Sequence, residues 1–299
     1  MGNPDADDFL TCVMGRSNDD TIIRVGSVLL LMVGIPAIMM VFIAALGTED
    51  TDSIAFQLLT ALENHLTSIT LFYSIFNSFI VYMIIQAYYK HHLRDMVWMS
   101  SLRGYASSGG KDVSELKKIT GPFASNRAHI IVKVAFWYFA FVLISHTVMA
   151  IMLSTKTIDD YLATDITQII SAFLVFELAL ASCYVFVSVR KDDRIQCDFT
   201  SEWARLMKDE IPDAEPMATR IKMRRIWPHI LIIIVTLGLY SFVFALWAVH
   251  TMNLHISRQN TYEESVLKWI MDREGAKGIE GIEEELQPGL VNLGLRMFT

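Results

Sequence analysis

The residue with the most unusual chemistry for its surroundings is Glu177, a carboxylate within the apolar string 172–180. A charged side chain near the centre of a membrane helix costs about 2.5–3.5 kcal/mol on insertion scales, unless it is protonated, paired or wet. Such a carboxylate could bind an ion or relay protons, could hydrogen-bond as a neutral acid to a neighbouring helix, or could dock a partner. The sequence leaves these three roles open.

His146 is the expected partner of Glu177. Counted inward from the connection Ser154–Thr164, the two residues differ in depth by roughly 6 Å at the helical rise of 1.5 Å per residue. A histidine–carboxylate pair in a low dielectric could titrate near neutral pH and form an ion or proton site. The alternative is a packed histidine that is hydrogen-bonded locally.

A stripe of polar residues follows another predicted helix, Phe56–Leu102, at spacings of three or four residues. This spacing places them on one helix face, and lipid offers that face no hydrogen-bond partners. We expect the stripe to line an ion path, although hydroxyls and amides also hold helices together. Its members are Glu63, Thr67, Thr70, Ser74, Asn77 and Ser78.

Sequence motifs for enzymatic chemistry are missing: the chain has no nucleophile elbow, no Gly-rich phosphate loop and no His-Glu-x-x-His pair. His91-His92 resembles a fragment of the histidine clusters of membrane oxygenases, but the supporting boxes are absent. Haem ligation by two of His65, His146 and His250 remains an alternative. We therefore expect neither catalysis nor a cofactor, and the sequence leaves metal binding open.

The elements that position these residues are predicted to be membrane-spanning helices. Of the 299 residues 53% are apolar, which together with a mean hydropathy of +0.38 is high for a soluble protein. A hydrocarbon core roughly 30 Å thick needs about 20 apolar residues in a helix. The fold class is therefore predicted as all-α, a multi-pass helical membrane protein with five transmembrane helices: Val25–Leu46, Leu66–Tyr89, Ile130–Leu153, Ile166–Val189 and Ile230–His250.

The positive charges predict the orientation of these spans. Segments Lys90–Lys133 and Arg190–Arg225 together contain 17 of the 25 Lys and Arg residues. Basic connections stay in the cytosol, so both segments and the N-terminus are predicted to be cytosolic, with the C-terminal tail on the far side. The chain is thus expected to be an integral membrane protein, in a plasma or an organelle membrane.

Two helices are predicted to extend from the membrane into the cytosol. No Gly or Pro interrupts 56–103 or 161–211, and both stretches run well beyond their predicted spans. A break at the membrane surface is the alternative. The predicted organisation is a cytosolic segment 1–24, a five-span bundle 25–255 with cytosolic helical loops 90–129 and 190–229, and an amphipathic acidic tail 256–299.

These observations predict an ion channel or transporter for a small cation or protons, with the lipid bilayer as its surroundings. We expect it to assemble as a homo-oligomer or with partners in a membrane complex. The alternative is a non-transporting accessory or scaffolding subunit. Nucleic acid is not an expected partner, because the basic residues lie beside the spans and form no patch interleaved with aromatic residues.

Overall fold

The computed structural model describes residues 9–13, 54–124, 128–155, 160–217, 225–236, 238 and 240–274. Throughout these ranges the regular structure is helical, which confirms the all-α prediction. The first predicted span, Val25–Leu46, lies outside the described residues. The helices are α1 (Ile54–Ser108), α2 (Ser114–Ala124), α3 (Ala128–Ser154), α4 (Asp160–Met207), α5 (Trp227–Val235) and α6 (Tyr240–Glu274), and residues 9–13 are helical as well.

Helices α1 and α4 are continuous over 55 and 48 residues. At 1.5 Å per residue they are about 80 and 70 Å long, more than twice the thickness of a bilayer core. The absence of Gly and Pro correctly predicted this continuity. Helix α1 ends just before Gly110, whose φ of +76° suits glycine, and α4 ends five residues before Pro212.

Helices α1 and α4 run parallel and in register. Asn77 contacts Glu177, Asp95 contacts Gln196, and the Trp203 indole N–H donates to the carbonyl oxygen of Leu102. The partners in these three contacts are 100, 101 and 101 residues apart in sequence. An offset that stays constant along two helices requires both chains to advance in the same direction.

Helix α6 follows the same direction. Its contacts with α1 join residues 164, 168 and 169 positions apart, at Asp95–Gln259, Tyr105–Arg273 and Arg94–Glu263. Residues 255–274 therefore lie beside the C-terminal halves of α1 and α4. The structure differs here from the prediction of a returning fifth span, which would carry residues after 255 to the opposite end of the bundle.

A break inside the apolar stretch Ile230–His250 explains this difference. Helix α5 ends at Val235, α6 begins at Tyr240, and Gly238 between them has a φ of +90°. The His229 ring of α5 stacks on Phe244 and Trp247 of α6, with centroid distances of 5.1 and 4.4 Å. The stretch thus forms a helical hairpin in which the chain reverses.

Helix α3 packs against α1 and exposes an apolar face. The Phe139 ring contacts Phe79 and Tyr82, whereas Trp137 and Phe141 on another face are each 69% exposed. Among the residues that the structure describes, two segments, Thr70–Ser108 and Ser114–Leu153, are long and apolar enough to cross a membrane. Because core helices of soluble proteins meet the same criterion, these two segments weakly suggest a membrane location.

Candidate functional site

Glu177 is half-buried and joins three helices. The Asn77 side-chain amide of α1 donates to Oε1 of Glu177 at 2.5 Å, and the Tyr138 hydroxyl of α3 donates to the same carboxylate. An adjoining groove of about 520 Å³ is lined almost entirely by apolar side chains. Besides Glu177, Tyr138 and Tyr184, its lining consists of Val81, Ile85, Ile131, Val134, Ala135, Phe176, Leu180 and Ala181.

The structure does not bring His146 to Glu177. His146 is buried and lies 3.1 Å through Nδ1 from the hydroxyl of its neighbour Ser145. Tyr138, which does reach Glu177, comes eight residues before His146, about 12 Å along α3. The expected histidine–carboxylate pair is thus replaced by an amide–carboxylate–phenol contact.

The polar stripe on α1 faces the interior where its side chains are described. Ser74, Asn77 and Ser78 are buried and Thr70 is half-buried, while the side chains of Glu63 and Thr67 lie outside the description. From Ser78 towards the C-terminal end of α1, buried apolar residues of α1, α4 and α6 form a layer about 15 Å deep before Tyr88, the next fully buried side chain of α1 with a polar group. The buried Ser182 of α4 lies within this layer and donates its hydroxyl to the carbonyl oxygen of Leu178. This layer consists chiefly of Ile80, Val81, Ile84, Ile85, Leu178, Ala181, Val185, Ala245 and Val249.

A dense cluster of polar side chains occupies the junction of α1, α4 and α6 next to this layer, towards the C-terminal ends of α1 and α4. We call it the polar network. All of its members are buried except Arg258, whose side chain is 22% exposed. They are Tyr88, His91, His92, Arg94 and Asp95 of α1, Asp192, Asp193 and Gln196 of α4, and His255, Arg258, Gln259, Asn260 and Glu263 of α6.

Asp95 is the centre of the polar network. The Gln196 amide donates to its Oδ2 at 2.6 Å, and the Gln259 amide donates to its Oδ1 at 2.5 Å. The Nε2 atom of His91, one helical turn earlier, lies 3.2 Å from Oδ2. One carboxylate therefore receives groups from all three helices, which fixes its orientation.

The other carboxylates of the network also have defined partners. Asp192 accepts a hydrogen bond from the Tyr88 hydroxyl at 2.6 Å and lies 3.2 Å from Nδ1 of His92. Glu263 pairs with the guanidinium of Arg94. Each of these carboxylates thus has a buried partner in the network.

Asp193 holds His255 in place. Its Oδ1 lies 3.3 Å from Nδ1 of His255 and accepts a hydrogen bond from Arg258 at 3.1 Å. The ring of His255 stands perpendicular to that of His91, with the centroids 5.3 Å apart. The two imidazoles thus meet beside Asp95.

The charges within the network do not balance. Among the described residues it contains four carboxylates, Asp95, Asp192, Asp193 and Glu263, and two guanidinium groups, so that with neutral histidines the excess is two negative charges. Buried charge is costly unless it is paired. Two protons or one divalent cation would neutralise this excess.

Apolar side chains pack against the polar network on the side nearer the C-terminal ends of α1 and α4. Trp98, Leu102, Phe199 and Trp203 belong to a buried cluster there, which also takes in Phe9 and Val13 from residues 9–13. Cys12 in the same short segment lies half-buried, with Sγ 3.9 Å from the carbonyl oxygen of Arg94. Burial raises the pKa of the Cys12 thiol to about 12.

Sequence reasoning missed the polar network, although a signal was present. His91 and Asp95 are four residues apart, as are Asp192 and Gln196, and His255, Gln259 and Glu263 repeat the spacing. Four-residue spacing places each set on one face of its helix. The prediction separated these sets, because it sent the segment after His250 to the other side of the membrane.

No protein-family model, curated protein or solved structure matches this chain. What the polar network can do therefore follows from its own geometry. Two imidazoles and a carboxylate with close ligand atoms could hold a metal, and the excess negative charge favours cations of any kind.

Proposed function

We propose that this chain is a helical membrane protein that conducts or transports a small cation or protons, and that the polar network is its ion-handling site. The observation that carries this proposal is that, among the described residues and with neutral histidines, the network's carboxylates outnumber its guanidinium groups by two, in a junction that is almost entirely buried. Ionisable residues buried within membrane proteins commonly mark ion or proton pathways.

The exposed surface of α3 supports the membrane part of the proposal. Val134, Trp137, Phe141 and Ile144 are all more than 60% exposed, and together they give α3 a wide apolar face. A soluble monomer rarely leaves such a face uncovered. Polar groups inside and apolar groups outside are the arrangement that lipid favours.

In this proposal the apolar layer between Ser78 and Tyr88 is the closed part of the path. The polar stripe and Glu177 lie on one side of it, and the polar network lies on the other. A cation would pass when α1, α4 and α6 separate at this layer, or along an interface between copies of the chain.

A non-transporting accessory or scaffolding subunit is the second candidate. The same apolar layer favours it, because a dry bundle needs no path and serves only to hold the helices together. The contacts of Glu177 with Asn77 and Tyr138 would then be interhelical hydrogen bonds of the structural kind.

Flux measurements on purified protein in liposomes distinguish these functions. Protons would be followed with a trapped pH-sensitive dye, and small cations with ion-selective dyes. We expect flux for the wild type and a loss of at least tenfold in Asp95→Asn. Asp198→Asn changes an exposed carboxylate of α4 and serves as the matched control, with flux like the wild type.

Two outcomes would contradict parts of the proposal. Undiminished flux in Asp95→Asn would remove the network from the path, and undiminished flux in Glu177→Gln would do the same for Glu177. No flux of protons or cations under any gradient, with a stoichiometric partner co-purifying in mild detergent, would favour the accessory subunit.

A further inference from the structure

We infer that His91, Asp95 and His255 form a binding site for one divalent transition-metal ion of the zinc or iron(II) class. Two imidazoles and one carboxylate are a ligand set that such ions prefer, whereas calcium and magnesium prefer oxygen ligands alone. The site lies where α6 meets α1, against α4.

The three ligands already converge. One ligand atom from each residue lies within 4.8 Å of the other two, and all three residues are buried. Bonds of about 2.0–2.2 Å in a tetrahedral arrangement place the ligand atoms about 3.3–3.6 Å apart. His91 Nε2 and Asp95 Oδ2, at 3.2 Å, already have this spacing, and a pair at the 4.8 Å limit would approach by about 1.2–1.5 Å when an ion binds.

The second imidazole nitrogen of His255 points to a ligand. Its Nδ1 faces Asp193, while Nε2, on the other side of the ring, has no hydrogen-bond partner among the residues that the structure describes. The residue is only 1% exposed, so bulk solvent does not reach this atom. A nitrogen buried in this way costs free energy unless something binds it.

The surroundings resemble the outer shell of a metal centre. A metal-bound histidine usually gives its other nitrogen to a carboxylate or carbonyl group, which fixes the ring and raises its basicity; Asp193 stands in this position beside His255. Gln196 and Gln259 orient the carboxylate of Asp95 from two further helices. Two of the three ligands, His255 and Asp95, thus have supports of their own.

The charge of the ion fits the network. A divalent cation at this position would cancel the excess of two negative charges that the described carboxylates and guanidinium groups leave. Three protein ligands also leave coordination positions for water or for an exchanging ligand. The ion would hold α1 and α6 together directly, and α4 through Asp193 and Gln196.

The inference rests on the proposed function only in that both use the polar network. A permanently held ion needs no transport, and transport of protons needs no metal. Metal content and flux are measured separately, so the failure of one leaves the other to stand.

The test uses the full chain purified in detergent through a tag without histidines. Metal content is measured by mass spectrometry, the protein is stripped with a chelator under mild heating, and Co²⁺ is titrated while its visible d–d absorption is followed. Competition by Zn²⁺ then gives the relative affinity. We expect one equivalent of metal per chain and a Co²⁺ spectrum with nitrogen ligation.

Variants assign the ion to this site. His255→Gln and Asp95→Asn are expected to lower the affinity for Co²⁺ at least a hundredfold, and Asp193→Asn by about 10- to 100-fold through the outer shell. His129→Gln is the control, because His129 is an exposed histidine of α3 that lies outside the polar network. Its affinity should stay within threefold of the wild type.

Substoichiometric metal in the wild type purified in this way, with no saturable Co²⁺ spectrum, would overturn the inference. So would a His255→Gln protein that binds Co²⁺ as tightly as the wild type. If circular dichroism shows that His255→Gln does not fold, the Co²⁺ affinity of Asp193→Asn and the Co²⁺ spectrum of the wild type decide the question. Neither measurement depends on the His255→Gln protein.

Discussion

Gln259 of α6 donates a hydrogen bond from Nε2 to Oδ1 of Asp95 on α1, at 2.5 Å. Fourteen residues further along α6, Arg273 contacts Tyr105, ten residues further along α1. Both helices therefore proceed towards the same end of the molecule. The ends of α1 and α6 must then lie on the same side of any membrane that the bundle spans.

Cysteine labelling tests this arrangement. Ser108→Cys at the end of α1 and Lys268→Cys near the end of α6 are both exposed positions, and a membrane-impermeant maleimide should reach them from the same side. The measurement is the labelled fraction in sealed vesicles of each orientation, in a background without the three native cysteines.

Thr155→Cys provides the opposite reference for this labelling. Thr155 follows α3, which runs antiparallel to α1, and it is exposed. It should react only from the other side. Labelling of Lys268→Cys together with Thr155→Cys, and not with Ser108→Cys, would restore the predicted fifth span and contradict the parallel α6.

The reversal between α5 and α6 depends on Gly238. Its φ of +90° is unfavourable for any residue with a Cβ, so Gly238→Ala should lower the free energy of unfolding by about 1–2 kcal/mol. Gly121→Ala is the control: Gly121 lies in α2, and an added Cβ there meets nothing within 4 Å. That change should raise stability by about 0.4–1 kcal/mol. Denaturant unfolding in detergent measures both, and equal effects would argue against the turn.

The buried pair Arg94–Glu263 should be strongly coupled. Removing one partner leaves the other charge buried, and we expect Arg94→Met or Glu263→Gln alone to cost about 3–5 kcal/mol of unfolding free energy. The double variant should cost clearly less than the sum of the two. A double-mutant cycle gives the coupling energy.

The exposed pair Arg205–Glu202 is the matched control for this cycle. The Arg205 side chain is 67% exposed, and such surface pairs contribute about 0–1 kcal/mol. If the two cycles give the same coupling energy, the polar network around Arg94 is as solvated as the surface, and the charge argument fails.

Cys12 should make stability depend on alkaline pH. Burial raises the thiol pKa from 9.0 to about 12, so the folded state keeps a proton that the unfolded state loses first. The contribution is fully present below pH 9 and is lost as pH rises through the interval from about 9 to 12. The free energy of unfolding, measured at pH 8, 10 and 11, should therefore decrease less with rising pH for Cys12→Ala than for the wild type.

Reactivity at Cys12 gives an independent check of this pKa. The thiolate is the reactive form, so iodoacetamide at pH 8 should modify Cys12 far more slowly in the folded protein than in denaturant. Rapid modification of the native protein, located by mass spectrometry, would show that residues 9–13 do not pack beside Arg94.

The sequence predicted those features of the fold that depend on local patterns. The runs without Gly or Pro correctly predicted that α1 and α4 are unbroken. Helix direction depends on a single turn. The apolar stretch around Gly238 has the composition of one span, and only its backbone conformation shows the reversal.

The candidate site was harder to foresee for the same reason. Glu177 stood out because its neighbours are apolar, but its partners Asn77 and Tyr138 come from distant parts of the chain. The polar network needs residues separated by more than 160 positions, brought together by parallel packing. Charged residues beyond a predicted span are expected on a solvated surface, so their burial could not be inferred from their spacing.

The three-helix origin of the polar network has a consequence for biosynthesis. Asp95 and Asp193 emerge from the ribosome long before His255, Arg258 and Gln259, which complete their hydrogen bonding. The nascent helices α1 and α4 must therefore keep these carboxylates hydrated, or shielded by a chaperone, until α6 has been synthesised. Closure of the junction is a late assembly step, and a ribosome stalled before residue 255 would expose an acidic, unfinished helix pair for quality control to recognise.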